Sequence, residues 1–270
     1  MSTEINPVMN IEAVEEQKNP SAPDRLKRVK LIVAYDGTNY HGWQVQPNGE
    51  TIEGVLNRTL SSLLGEKIVV TGASRTDAGV HSMGNVAVFD TKSRIPAEKI
   101  SYALNQRLPE DIVVQKSEEV PSDFHPRHCD SRKTYEYRIL NREFPLPMYR
   151  NNTYFCYRKL DLEKMQQAAE YLKGEHDFKS FCATAAVVET TVRTIYELTV
   201  SRHEDIITIR VTGNGFLYNM VRIIAGTLLQ AGMGMIEPEE IKTILAAKDR
   251  STAGPTAPAQ GLTMIGIEYL

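Results

Sequence analysis

Apolar residues alternate along Arg28–Tyr35, with Val29, Leu31 and Val33 on one face, the period of a half-buried strand. Asp36-Gly37-Thr38-Asn39 closes that strand as a turn. Thr51 is placed to cap a helix whose apolar positions, Ile52, Val55, Leu56, Leu60, Leu63 and Leu64, recur at helical spacing. Lys67–Gly72, with its run Ile68-Val69-Val70, and Asn85–Phe89 predict two further strands. Pro96 stands at a first helical position, and Ile100, Ala103 and Leu104 line that helix before Pro109. Asp111–Lys116 predicts another strand. The order is strand, helix, strand, strand, helix, strand.

The second half gives the same order without clear sequence identity to the first. Lys133–Asn141 alternates Tyr135, Tyr137 and Ile139 on one face. Asp161 can cap a helix bearing Leu162, Met165, Ala168, Ala169 and Leu172, ended by Gly174. Val192–Arg202 and Ile206–Val211 predict a hairpin turning at His203-Glu204-Asp205. Phe216–Ala231 predicts a strongly apolar helix, Glu237-Pro238 starts an amphipathic one, and Leu262–Tyr269 predicts a last strand. Each half is a βαββαβ, or ferredoxin-like, unit, the second with one extra helix. The expected fold class is therefore α+β: two ferredoxin-like halves forming one long mixed, mainly antiparallel sheet with a central catalytic cleft. The helices would cover one face, and the cleft would form on the other face where the halves meet. The expected divisions are an acidic, disordered tail at 1–24, a first half at 25–122 and a second at 123–270.

Composition changes this picture in two places. The 270 residues carry a net charge of -3, but residues 1–24 hold Glu4, Glu12, Glu15, Glu16 and Asp24 against Lys18, which leaves the other 246 with +1. Within 125–160, Arg127, Arg132, Lys133, Arg138, Arg142, Arg150, Arg158 and Lys159 outnumber Asp130, Glu136 and Glu143, and five tyrosines lie among them. A basic segment with interleaved aromatics suits phosphate contact and base stacking, and equally a solvated strand face. No apolar run reaches the ~20 residues that span a bilayer, so no membrane role is expected. Three cysteines without CxxC spacing fit a reduced, cytoplasmic compartment.

Candidate chemistry sits in Gly72-Ala73-Ser74-Arg75-Thr76-Asp77-Ala78-Gly79-Val80-His81, a polar loop between two strands with Asp77 at its centre. Read by itself it is ordinary turn composition. Arg222 stands in the apolar stretch Met220-Val221-Arg222-Ile223-Ile224. A guanidinium there needs a partner or must reach the helix edge, and Asp77 is a sensible partner. Ser74, Asp77 and His81 contain the residue types of a hydrolase triad, but crowd into one loop without a GxSxG elbow. His125, His128 and Cys129 lack further ligands at a metal-binding spacing. No P-loop or GxGxxG indicates a nucleotide cofactor.

Several segments together resemble the TruA family of tRNA pseudouridine synthases, over roughly residues 29–270. Tyr35-Asp36-Gly37-Thr38, Gly42-Trp43-Gln44 and Gln46-Pro47-Asn48 are similar to its opening, and Ser74–His81 to its catalytic loop. Asp123–Arg127 with Arg132–Tyr137 resembles its tyrosine-bearing tract, and Gly213–Arg222 with Thr256–Leu262 its closing motifs. The resemblance implies isomerisation of uridine to pseudouridine at positions 38, 39 and 40 of the tRNA anticodon stem-loop, by a homodimer that uses no cofactor. It places the catalytic aspartate on Asp77, the base-stacking tyrosine on Tyr135 and the aspartate-pairing arginine on Arg222. The arginine that helps turn the base out falls on Arg75. Arg127, Arg132, Lys133 and Arg142 are then candidates for substrate phosphates. Ser74 stands where glycine is usual in the family, and His128-Cys129 where an aromatic and a small residue are common. The other class that fits the sequence is a tandem RNA-binding protein or tRNA chaperone without chemistry.

Overall fold

A computed structural model describes residues 25–183 and 189–270; the acidic segment 1–24 lies outside the described residues. The strands are β1 (Lys27–Tyr35), β2 (Thr71–Gly72), β3 (His81–Thr91), β4 (Ile112–Val120), β5 (Ser131–Asn141), β6 (Tyr154–Cys156), β7 (Gly174–Asp177), β8 (Val192–His203), β9 (Ile206–Gly213) and β10 (Leu262–Tyr269). The helices are α1 (Ile52–Leu64), α2 (Ala97–Asn105), α3 (Leu162–Glu170), α4 (Met220–Gly232) and α5 (Glu240–Ala247). All ten strands join one sheet in the order β4-β1-β3-β10-β5-β9-β8-β7, with β2 on β3 and β6 on β5. β3 and β10 run parallel where the two halves meet; the other pairings are antiparallel except β5–β6.

Alternation along each strand sets which side is buried. Val29, Leu31, Val33 and Tyr35 pack with Leu56, Leu60, Ile100 and Leu104 of α1 and α2. Tyr135, Tyr137 and Ile139 pack with Met165, Leu228 and Ile241 of α3, α4 and α5. One extra residue in β3 makes these the same face. Val33 lies opposite Asn85, but Tyr35 lies opposite Ser82, so three residues of β3 match two of β1. The bulge turns Ser82 to the helix side. Met264 of β10 is opposite both Ser82 and Tyr135, and so carries that side across to the second half.

The helices start and stop largely for local reasons. Thr51 accepts from the Gly54 N–H and caps α1, and Gly65 ends it at φ 67°. Asp161 caps α3 by accepting from the Lys164 N–H. Residues 67–70 do not form the expected strand, because side chains of α1 satisfy their backbone. Asn57 Oδ1 accepts from the Val70 N–H at 2.8 Å, and Ser61 Oγ accepts from the Ile68 N–H at 2.9 Å. α3 ends at Glu170 rather than next to Gly174, which at φ 95° opens the unexpected short strand β7 instead. The apolar stretch from Phe216 becomes helical only at Met220, because Asn219 at φ 62° turns the chain first.

Candidate active site

The loop Ala73–Val80 is held from three directions. The Ala73 N–H donates to Val86 O at 2.7 Å. Asn85, fully buried, then takes the place of a strand partner: its Oδ1 accepts from the Ser74 N–H at 3.3 Å and its Nδ2 donates to Ser74 O at 3.0 Å. The Thr76 hydroxyl lies 2.8 Å from the Tyr35 phenol oxygen, and the backbone N–H of Trp43 donates to Thr76 O at 3.0 Å. Gly42, at φ 87°, lets that segment pass; a Cβ there would stand 2.6 Å from Thr76 O. Asp77 therefore rides on a backbone fixed by β1, β3 and the 40–43 segment.

Its carboxylate meets Arg222, in the first turn of α4. The guanidinium is held at three points: Nη1 donates to Asp77 Oδ2 and to Asn219 Oδ1, both at 3.0 Å, and Nε donates to Ala257 O at 2.7 Å. A cation in a first helical turn opposes the helix dipole, and Asp77 compensates for it. Burial raises the Asp77 carboxyl above the ordinary carboxylate range, and the charge and hydrogen bond of Arg222 pull it back. Close approach of 254–258 to α4 depends on Gly226, whose Cβ would collide with Pro255 O at 1.8 Å.

A cavity of about 450 Å³ opens over this pair, lined by residues 73–77, Val80, Arg127, Lys133, Tyr135, Leu262 and 216–222. Among the described residues Asp77 is its one carboxylate. Tyr135 is 9% exposed, edge-on to Phe216 at 5.3 Å between centroids. Burial pushes its phenol up to about 12, with Asp77 adding to the rise and the Ser74 hydroxyl opposing it. Lys133 lies two residues before Tyr135, on the same side of β5. Its Nζ donates to Ala73 O at 3.3 Å and has no carboxylate partner among the described residues. Burial, then Arg127 and Arg193, lower its amine below the usual range. Arg127 reaches the cavity from the segment before β5 and donates through Nε to Gly72 O at 2.6 Å. The volume suits one nucleoside-sized group, with a carboxylate, an aromatic face and cations around it.

A family model described as tRNA pseudouridine synthase matches residues 31–128 and 168–269. The chain belongs to the tRNA pseudouridine synthase family. It is 52% identical over 245 residues to the tRNA pseudouridine synthase A of Ruminiclostridium cellulolyticum, spanning 90% of this chain and all of that one. The corresponding proteins of Acetivibrio thermocellus and Thermoanaerobacter sp. are 48% and 49% identical over 244 residues, each covering 90% of this chain and 100% of the relative. The enzyme is thus an isomerase of uridine in tRNA.

Of the residues named from sequence, the fold gathers Arg75, Asp77, Arg127, Lys133, Tyr135 and Arg222 at one cavity. The other two lie elsewhere. Arg132 alternates to the helix-free face, where its guanidinium stands 4.9 Å above the Tyr196 ring. Arg142, just past the end of β5, is nine residues from Lys133, about 30 Å at the strand rise, and pairs with Asp205 at 3.2 Å. The cleft also lies on the helix-bearing face, not the helix-free one expected. Lys133, Tyr135 and Leu262 point toward the helices, and the α1/α2 and α3/α4 layers leave a gap over β3, β10 and β5.

The hydrolase triad does not assemble: His81 Nδ1 faces the Gly37 N–H at 3.1 Å and Asp36 at 3.0 Å. His125 and His128 stack at 3.9 Å, and among the described residues no group of three or more His, Cys, Asp or Glu could hold a metal ion. Sequence reasoning missed Asn85, Thr76 and Phe216. A signal existed for Asn85, an amide heading the otherwise apolar run Asn85–Phe89. No helix among the described residues is long and apolar enough to cross a membrane.

Proposed function

We propose that the enzyme converts uridine to pseudouridine at positions 38, 39 and 40 of the tRNA anticodon stem-loop, with Asp77 as its catalytic carboxylate. The observation that carries this reading is an Asp77 carboxylate 3.0 Å from Arg222, within a cavity that also presents Tyr135 and unpaired cations. The reaction breaks the C1′–N1 bond, turns the uracil and joins C1′ to C5; the C5 proton leaves and N1 gains one. Atoms and electrons balance without an oxidant or reductant.

The uridine must leave its stack to enter such a cavity, and stacking and phosphate contacts offset that cost. Tyr135 stacks on the uracil, and Arg75 occupies the space that the base vacates. Arg127 and Lys133 contact phosphates beside the cavity; Arg132 and Arg142 serve more distant stretches of RNA backbone. Arg222 keeps Asp77 ionised, which it needs either as nucleophile at the ribose or uracil or as base. The units 25–122 and 123–270 act as two halves around the cleft. A cavity for one nucleoside is small beside a whole tRNA, so the enzyme works as a homodimer, in the cytoplasm. Sedimentation with and without tRNA checks the dimer.

The deciding experiment loads tRNA with uridine tritiated at C5 and measures tritium release. Wild type releases tritium and Asp77→Asn does not, while both bind tRNA. Near-normal release by Asp77→Asn overturns the assignment. Binding by wild type with no release from any tRNA favours a binding module without chemistry.

A further inference from the structure

A chain of side-chain hydrogen bonds runs from β3 to the wall of the cavity. It starts at Asn85, whose Oδ1 accepts from two backbone N–H groups, of Ser74 at 3.3 Å and of Val86 at 2.9 Å, and whose Nδ2 donates to Ser74 O at 3.0 Å. The backbone therefore fixes which end of the amide is which. The second Nδ2 hydrogen is given to the Tyr35 phenol oxygen at 3.4 Å. That oxygen lies 2.8 Å from the Thr76 hydroxyl, with either group able to donate to the other. Burial decides between them. Tyr35 is packed in the core of the first half, whereas Thr76 lines the cavity. A phenol that accepted from both Asn85 and Thr76 would leave its own hydrogen buried and idle, which is costly. Ser82 also lies beside the phenol, but its oxygen already accepts from the Gly84 N–H at 3.1 Å, and its hydrogen is the part left to give. With Tyr35 as donor, the hydrogen left over belongs to Thr76, next to Asp77 at the cavity wall, where it has no acceptor among the described residues.

We propose that Thr76 is a further catalytic residue, its hydroxyl donating to a carbonyl oxygen of the uracil, and that Tyr35 and Asn85 are the positioning residues that aim it. The inference rests on the reading of the cavity as the uridine site and of Asp77 as its carboxylate. Whether Asp77 attacks the ribose or the uracil, the uracil carbonyls gather negative charge before C1′ joins C5. A donor aimed in advance at the place where charge develops stabilises the transition state more than the bound substrate. Hydrogen bonds in series polarise one another, so the Asn85–Tyr35–Thr76 chain strengthens its last member. No proton is transferred; the hydroxyl only donates. Its loss therefore acts on turnover rather than on tRNA affinity. A phosphate oxygen, in contrast, carries its charge before and after the reaction, so a contact there would act on binding. The Trp43 backbone holds Thr76 O independently of the side chain, so Thr76→Val removes the hydroxyl and leaves the Asp77 backbone in place.

The test is a double-mutant cycle of Thr76→Val and Tyr35→Phe, read by tritium release and by tRNA binding. Thr76→Val lowers kcat about ten- to a hundredfold, between the effect of one neutral hydrogen bond and that of a full oxyanion donor, and leaves tRNA affinity within about twofold. Thr76→Ser, which keeps the hydroxyl, retains most of the rate. Tyr35→Phe frees the Thr76 hydroxyl to turn and lowers kcat about fivefold; in the Thr76→Val background it lowers kcat no further, because the group that it aims is gone. An undiminished kcat in Thr76→Val overturns the proposal. A loss carried by tRNA affinity also overturns it, since that marks a phosphate contact. An equal loss from Tyr35→Phe in both backgrounds overturns it as well, since that marks structural support alone. If Thr76→Val does not fold, Thr76→Ser is compared with Thr76→Ala, and a serine enzyme no faster than the alanine one refutes the role. Near-normal release by Asp77→Asn sinks the reading of the cavity itself, whereas an inactive Asp77→Asn beside a normal Thr76→Val sinks only the role of Thr76.

Discussion

Replacing Arg222 with glutamine removes the charge opposite Asp77 while keeping a polar side chain of similar reach. At 3.0 Å two unit charges in a medium of effective dielectric ~20 attract by about 5.5 kcal/mol. The two side chains keep 17% and 23% of their surface, so water screens part of that attraction. We expect a loss of about 3 kcal/mol, at the low end for breaking a buried pair. If Asp77 must be ionised in the rate-limiting step, kcat/KM falls roughly a hundredfold near neutral pH. The direction of the pH effect follows from the same pair. Burial already holds the Asp77 carboxyl above its ordinary range, and Arg222 opposes it. Without Arg222 the carboxyl rises further, and the acid limb of the rate profile moves to higher pH. Stability follows the same sign. A carboxyl raised on folding costs stability where it is ionised, and that cost disappears as pH falls below the unfolded-state value. The melting deficit of Arg222→Gln should therefore shrink on acidification. The assay is single-turnover tritium release across pH, with melting curves at each pH. A profile superimposable on wild type in midpoint and height would refute the reasoning. Arg222→Lys keeps the charge but not the three-way fork, so it should retain the acid limb and lose part of the rate.

Four further outcomes are expected. Asn85→Ala unclamps the Ser74 N–H and C=O; a loss of about 2 kcal/mol, or about 4–8 °C in Tm, should accompany a lower kcat, both measured on one preparation. Gly42→Ala drives a Cβ toward Thr76 O at a positive φ and should slow tritium release while sparing tRNA affinity in a filter-binding assay. Lys133→Met replaces a buried, carboxylate-free amine; it should raise the Tm by about 2–4 °C and weaken tRNA binding, reducing the salt slope by about 1. Arg132→Ala, on the opposite face of the sheet, should change tRNA affinity less than Lys133→Met in the same salt titration.

Much of the fold could be read from periodicity because its strands carry clean alternation. β10 coincides with the expected Leu262–Tyr269, and β1 and α1 differ from expectation by a residue at most. The departures occur where tertiary partners replace local ones. Val69 is exposed and its neighbours are bound by α1 side chains, so an apolar run that looks like a strand has no ladder. Asn219 delays α4 because its side chain serves Arg222, a demand from 145 residues away in the chain through Asp77. The Asp77–Arg222 partnership could be proposed from sequence because a guanidinium among Met, Val and Ile needs an anion. The face of the sheet that holds the cavity could not be proposed, since it depends on a bulge that alternation in β1 alone does not reveal.

That bulge has consequences for how the enzyme tolerates change. A sheet face is an odd-or-even property, and β3 is the strand through which the second half inherits its parity from the first. Losing one residue between Ser82 and Asn85 would reverse the sidedness of His81 and Ser82 and, through β10, of the second half relative to the first. Tyr135 and Arg222 would then stand behind the sheet from Asp77 although each half kept its own core. Deleting Gly84 should thus yield two sound halves that no longer share an active site. Insertions of several residues in the exposed 44–48 turn should be far milder. At this strand junction, the number of residues matters more than which residues they are.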